Sequence, residues 1–241
     1  MKQRKTTDRD RKKVFDAAVD LIAEKGFNCV GLADVAKAAG VPVATVTGHF
    51  KAINDLAAAI VAEYRDKYYG SIFSEEVNRK TGEERVQVVV RNMVDLYRRN
   101  TALCVAATVI GDTDIVSVQM GDVRDAAKSR DKLNAYFKML GRDTRDPAEM
   151  AVSRGLLTII VGTHFGARFM REHRLKRSGP KIDKAMKELM HEPECKYDDA
   201  FYERYCDALA RFYLYGMTGM AKKTEKGDAE SAADFWSFGL F

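Results

Sequence analysis

The segment 10–56 leaves this chain the least freedom. It reads as three short helices behind a basic N-terminal stretch, the third entered through Gly40, Val41 and Pro42. Val14, Phe15, Ala18, Leu21 and Ile22 fall at helical spacing on one face, and Gly26 stands where a glycine ends such a helix. Leu32, Val35, Ala36 and Ala39 then repeat at i, i+3, i+4 and i+7, and Gly40 closes this second helix after little more than two turns. Pro42 sets φ for a new helix start; Val43, Val46 and Phe50 supply that helix's inward face, and Val41 plugs the turn. Two short helices joined by a tight glycine-containing turn have a shape that enters a DNA major groove.

Charge is distributed to match. Residues 1–13 hold Lys2, Arg4, Lys5, Arg9, Arg11, Lys12 and Lys13 against Asp8 and Asp10, a net +5 that equals the formal charge of the whole chain. Across 14–56 the lysines 25, 37 and 51 face Asp16, Asp20, Glu24, Asp34 and Asp55, so the three-helix segment is itself net −2. It is therefore not a general polyanion binder, and a basic tail over 1–13, with Arg11 and Lys12 nearest the helices, would supply the phosphate neutralisation and its salt dependence. With Val43, Val46 and Phe50 turned inward, Ala44, Thr45, Thr47 and Gly48 face out. Small or methyl-bearing side chains there allow close approach and contact with thymine methyls, Thr45 and Thr47 above all. That face has no Arg, Asn or Gln for a bidentate base contact, which leaves part of any specificity to DNA shape.

Gly26-Phe27, Leu32-Ala33-Asp34-Val35-Ala36, Ala39-Gly40-Val41, Thr45, His49-Phe50 and Leu56 together resemble the N-terminal domain of the tetracycline-repressor (TetR) family of bacterial transcriptional regulators. The likeness covers about the first quarter of the chain. It implies an all-α homodimer: an N-terminal three-helix helix-turn-helix domain (14–56, motif about 31–50) and a larger helical domain (57–241) that binds a ligand and dimerises. It also implies DNA-backbone roles for Lys37, His49 and Lys51. The partners so implied are a double-stranded DNA operator, a second copy of the chain and a small-molecule effector, with no cofactor, and the activity is that of a ligand-responsive repressor released from a near-palindromic site. Where the family usually has a serine, a lysine and a glycine before the threonine, this chain has Pro42, Val43 and Ala44. Thr47 and Gly48 stand where an aromatic usually precedes the histidine, and Lys51-Ala52-Ile53 replaces a Pro-Ser-Lys turn. These departures, with the negative local charge, support one alternative: a TetR-like helical protein with weakened DNA recognition that acts through a protein partner.

Beyond residue 56 the pattern stays helical. A connecting helix over 53–73 carries Leu56, Ile60, Tyr64 and Tyr68; further helices are expected over 83–104 and 123–140; and the apolar segments 149–173 and 200–220 have the character of a dimer-forming pair, or of internal core. Between these two lies a basic insertion over 171–193, and the chain ends in the apolar run 234–241. Met93, Tyr97, Tyr136, Phe137 and His164 are the candidate pocket residues. An apolar fraction of 46% is ample for a core. The uncharged run 155–167 is too short to span a bilayer, and the basic start lacks an apolar segment behind it, so a cytoplasmic protein with no membrane partner is expected. Cys29, Cys104, Cys195 and Cys206 are scattered without Cys-x-x-Cys spacing, as buried free thiols would be. Enzyme chemistry finds little support: one Glu-x-x-His pair, Glu188 with His191, falls short of a metal centre, and there is neither a glycine-rich phosphate loop nor a nucleophile elbow.

Overall fold

The computed structural model describes residues 8–111, 147–173 and 196–221, and every regular element among them is helical. The expected helix over 123–140 with Tyr136 and Phe137, the Glu188/His191 pair, Cys195, most of the basic insertion and the run 234–241 lie outside the described residues. Helix α1 (Asp8–Lys25) starts inside the basic segment, so residues 8–13 form its first turns. Asp8 and Asp10 sit where the helix dipole favours acids, and Lys12 pairs with Asp16 one turn on at 2.8 Å. A 3-10 turn (Phe27–Cys29) leads into α2 (Leu32–Ala39) and α3 (Val43–His49), followed by α4 (Ile53–Ile72).

Helix α5 (Glu75–Arg79) is a short element that the periodicity does not single out, capped where the Ser74 hydroxyl accepts from the Val77 amide at 3.3 Å. The single helix expected over 83–104 is two, α6 (Gly82–Arg99) and α7 (Thr101–Gly111). The chain turns at Asn100 (φ −132°, ψ 38°), where the Asn100 amide side chain donates to the Leu96 carbonyl at 2.9 Å and the Thr101 hydroxyl to that of Tyr97 at 2.7 Å. Side chains thus take over the carbonyls that the next helical turn would have used. Helices α8 (Pro147–His173) and α9 (Asp199–Ala221) both pack on α6.

Two cores result. One joins Val86, Val89, Val90, Met93, Val94 and Tyr97 of α6 to Val161 and Phe165 of α8 and to Tyr202, Leu209, Ala210 and Tyr213 of α9, so one face of each long helix is spent inside the protomer. The other holds Val14, Ala18 and Ile22 of α1, Val35 of α2, Val46 and Phe50, and Leu56 and Ile60 of α4. It also takes in Leu103, Ala106, Ala107 and Ile110 of α7 and Phe169 of α8, which places body helices in the same core as the three N-terminal ones.

Tyr64 of α4 touches both cores, and its hydroxyl meets that of Tyr97 at 2.9 Å. Burial pushes the Tyr97 hydroxyl up to about 12 and moves Tyr64 further in the same direction. The folded chain therefore holds these protons more tightly than the unfolded chain, in which tyrosine titrates near about 10. Their stabilisation is complete below that pH and is lost as pH rises towards 12, at about 1.4 kcal/mol per pH unit for each group. Tyr97→Phe is expected to cost about 1 kcal/mol at neutral pH through the lost hydrogen bond and to flatten the alkaline fall in stability. Urea unfolding of both proteins at intervals across that pH range checks this; parallel curves would show that Tyr97 does not contribute.

Candidate nucleic-acid interface

The helix-turn-helix is set up by its own local chemistry. The Asp34 carboxylate accepts from the Gly31 amide at 3.0 Å, holding the N-terminus of α2. At its other end Gly40 lies in the left-handed region (φ 65°), which lets the amides of Gly40 and Val41 reach back to the carbonyls of Lys37 (3.3 Å) and Ala36 (3.0 Å). Val41 is drawn against the core by that turn. Pro42 (φ −61°, ψ 147°) caps α3, and its carbonyl accepts from the amide of Thr45 at 2.9 Å. Four β-branched residues and a glycine make α3 a poor helix on its own, so its position depends on Val46 and Phe50, which are 0% and 4% exposed. Arg11 of α1 lies over the Phe50 ring, 5.3 Å from its centroid.

The face left outside consists of Val43, Ala44, Thr47 and Gly48, all exposed. Ala44, Thr47 and Gly48 stand where the periodicity puts them, and the Thr47 hydroxyl donates to the Ala44 carbonyl at 3.3 Å. Thr45 is half-buried beside them. Val43 does not belong to the inward face: it is 47% exposed. Helical spacing says which residues share a stripe but not where along the helix the core stops, and here it stops before the first turn of α3. The residue that periodicity misses on the outer surface is thus Val43, and the signal that could have found it is Pro42, which fixes position 43 as the first helical residue.

Lys37 and Lys51 are exposed at either side of this face, and His49 is half-buried with its Nε2 enclosed and without a hydrogen-bond partner among the described residues. Arg11 and Lys12 are exposed on the first turns of α1, Lys12 already paired with Asp16. The candidate pocket residues fall elsewhere and apart. Met93 and Tyr97 are wholly buried in the α6 core, and His164 sits among Phe201 (stacked, 5.8 Å) and Tyr205 (4.9 Å) of α9. None of these three lines either of the two cavities described, of about 550 and 660 Å³. Cys29 is exposed, against the expectation of burial, whereas Cys104 is buried and its thiol is pushed up to about 12 by that burial.

Residues 14–60 match the family model of bacterial regulatory proteins of the tetR family. That segment carries the tetR-family pattern. The fold of the chain is shared over most of its length by solved structures of low sequence identity. The regulator FadR from Bacillus subtilis, solved in complex with stearoyl-CoA, is 14% identical over 86% of this chain and 99% of its own, with a TM-score of 0.56. A TetR-family transcription regulator from Marinobacter aquaeolei is 15% identical over 84% and 94%, with the same score. The fatty acid degradation regulator FadR from Bacillus halodurans is 17% identical over 86% and 99%, with a TM-score of 0.55. No curated protein sequence matches.

Proposed function

We propose that the protein is a homodimeric transcriptional repressor whose paired α3 helices read successive major grooves of a near-palindromic operator, and that a small molecule bound by the larger domain releases it. The observation that carries this reading is the division of α3: one side is anchored in the core through Val46 and Phe50, and the other presents Val43, Ala44 and Thr47 to solvent within a tetR-family headpiece. Such a helix can be moved as a rigid reading element. Lys37, Lys51 and His49 flank it as phosphate contacts, and Thr45 and Gly48 complete the reading surface. Effector control is supported by the seam at Tyr64, where the α4 that follows the headpiece bonds to the α6 of the body. A ligand that prefers one body conformation would shift α4, and with it the spacing of the two headpieces. A transcriptional regulator of this fold, FadR from Bacillus subtilis, has been solved in complex with stearoyl-CoA. The parts of α8 and α9 that do not face α6 are the surfaces proposed for pairing two protomers.

The reading is tested by incubating the purified protein with a random duplex pool at about 100 mM salt, where contacts by the basic segment alone are weak, and sequencing the retained DNA. An enriched palindrome carries the proposal; a folded protein that enriches nothing overturns it in favour of action through a protein partner. With the operator in hand, the slope of log K against log salt is expected to fall by about 0.9 for each phosphate contact removed in Arg11→Ala and Lys12→Ala proteins. Anisotropy titrations between low and high salt measure it, and an unchanged slope would remove Arg11 and Lys12 from the interface.

A further inference from the structure

Among the described residues two large apolar side chains are exposed, Val43 at 47% and Tyr215 at 45%. The Tyr215 hydroxyl is bonded to Glu83, whereas Val43 belongs to neither core and its side chain has no group that can bond. Val43 is the first residue of α3, and its neighbours continue its character: Ala44 beside it and Thr47 one turn on are exposed, and Gly48 adds no side chain. The strip is uncharged and offers few donors. Thr47 donates its hydroxyl proton to the Ala44 carbonyl at 3.3 Å, which leaves Thr45, half-buried, as the other hydroxyl of the helix. What α3 turns to solvent is therefore a strip of methyl groups, with Lys37 and Lys51 exposed on either side of it.

We propose that Val43 is the specificity-determining residue of α3, that it reads the C5-methyl group of a pyrimidine in the major groove, and that the protein therefore accepts thymine or 5-methylcytosine at one position of each half-site and rejects unmethylated cytosine there. The inference rests on the repressor reading, which sets the N-terminal residues of α3 against base edges. Base chemistry then selects the ligand. Guanine, adenine and cytosine present ring nitrogens, a carbonyl oxygen or an amino group to the major groove, polar groups that a wall of methyls covers without offering a partner. Thymine alone among the standard bases presents a methyl. 5-Methylcytosine carries the same methyl on the same ring carbon, so the apolar contact survives the exchange of the neighbouring O4 acceptor for the N4 donor. The opposite side of the helix gives the contact its precision, because Val46 and Phe50 are locked in the core and fix where Val43 stands. An operator with cytosine at this position would be bound only once that cytosine is methylated at C5, so occupancy would follow the methylation state of the DNA.

The probe is a duplex enriched from the random pool, resynthesised with each thymine of its half-sites in turn replaced by deoxyuridine, which removes the methyl and leaves every hydrogen-bonding group in place. In further duplexes each A·T pair in turn becomes G·C or G·5-methylcytosine. At one thymine of each half-site, anisotropy with the full chain is expected to show a loss of about fourfold on deoxyuridine substitution, and of about tenfold or more when both half-sites are changed. At the same position G·5-methylcytosine is expected to bind about fourfold more tightly than G·C. In Val43→Ala protein, which loses an exposed side chain outside both cores and so should fold as the parent does, thymine and deoxyuridine duplexes are expected to bind alike. Deoxyuridine duplexes that all bind within about twofold of the parent, a thymine preference that persists in Val43→Ala, or equal binding of G·C and G·5-methylcytosine overturns the proposal while the enriched operator keeps the repressor reading in place. A pool that enriches nothing overturns the repressor reading itself, and this inference falls with it.

Discussion

Thr47→Glu is expected to abolish operator binding, by about 100-fold or more, while leaving the melting temperature within a degree or two of the parent. Thr47 is exposed and central on the outer face of α3, and its only described side-chain bond is to the Ala44 carbonyl one turn back, so the substitution disturbs no packing. In the complex the same position would face the groove floor, flanked by both phosphate backbones. A carboxylate there meets the negative potential of the duplex, has few donors with which to pair, and holds the neighbouring Ala44 and Gly48 away from the bases. Anisotropy with the selected operator, beside a circular-dichroism melt, measures both quantities. Thr47→Ser, which deletes one methyl, should cost much less, about 1 kcal/mol at a thymine-contacting position. Unimpaired binding by Thr47→Glu protein would mean that this face does not enter the groove, and the reading of α3 would fail with it.

How much of this surface could be read from the sequence depends on what kind of information placed each residue. Local rules placed the turn: Gly40 is needed because the chain passes through a positive φ there, and Pro42 because the helix after it needs a pre-set start. Periodicity placed Val46 and Phe50 in the core and Ala44, Thr47 and Gly48 outside. It failed at Val43, because exposure at a helix end is decided by where neighbouring elements stop, which no stripe encodes. It failed again at Asn100, where the apolar rhythm runs on through a helix break made by two side-chain bonds. In the body the long described helices are apolar on a wide face, so Met93 and Tyr97 look equally fit to line a pocket or to fill a core, and the structure uses them as core. The cavity of about 550 Å³ lined by Asp20 and Arg168 lay beyond sequence reasoning altogether: the two residues are far apart in the chain, and only the packing of α1 against the α7–α8 side of the body brings their helices together.

That packing also decides what a core substitution in the headpiece will do. Phe50→Ala removes a ring that is 4% exposed and carries the Arg11 guanidinium on its face, and a cost of about 3–5 kcal/mol is expected, a large part of the stability of an ordinary domain. If the headpiece were a separate unit, the loss would appear as a new low-temperature transition involving about four helices while the body melted as before. The core containing Phe50 runs on, however, through Leu103, Ala106, Ala107 and Ile110 of α7 to Phe169 of α8, and Tyr64 bonds α4 to α6. Unfolding the headpiece therefore strips α7 of its apolar cover and cannot stop at residue 60. The expected result is one cooperative transition moved down by about 10 °C, with far- and near-ultraviolet circular dichroism changing together. Two resolved transitions would show that α7 keeps its place without the headpiece. In that case the coupling between effector and DNA would have to run through α4 alone.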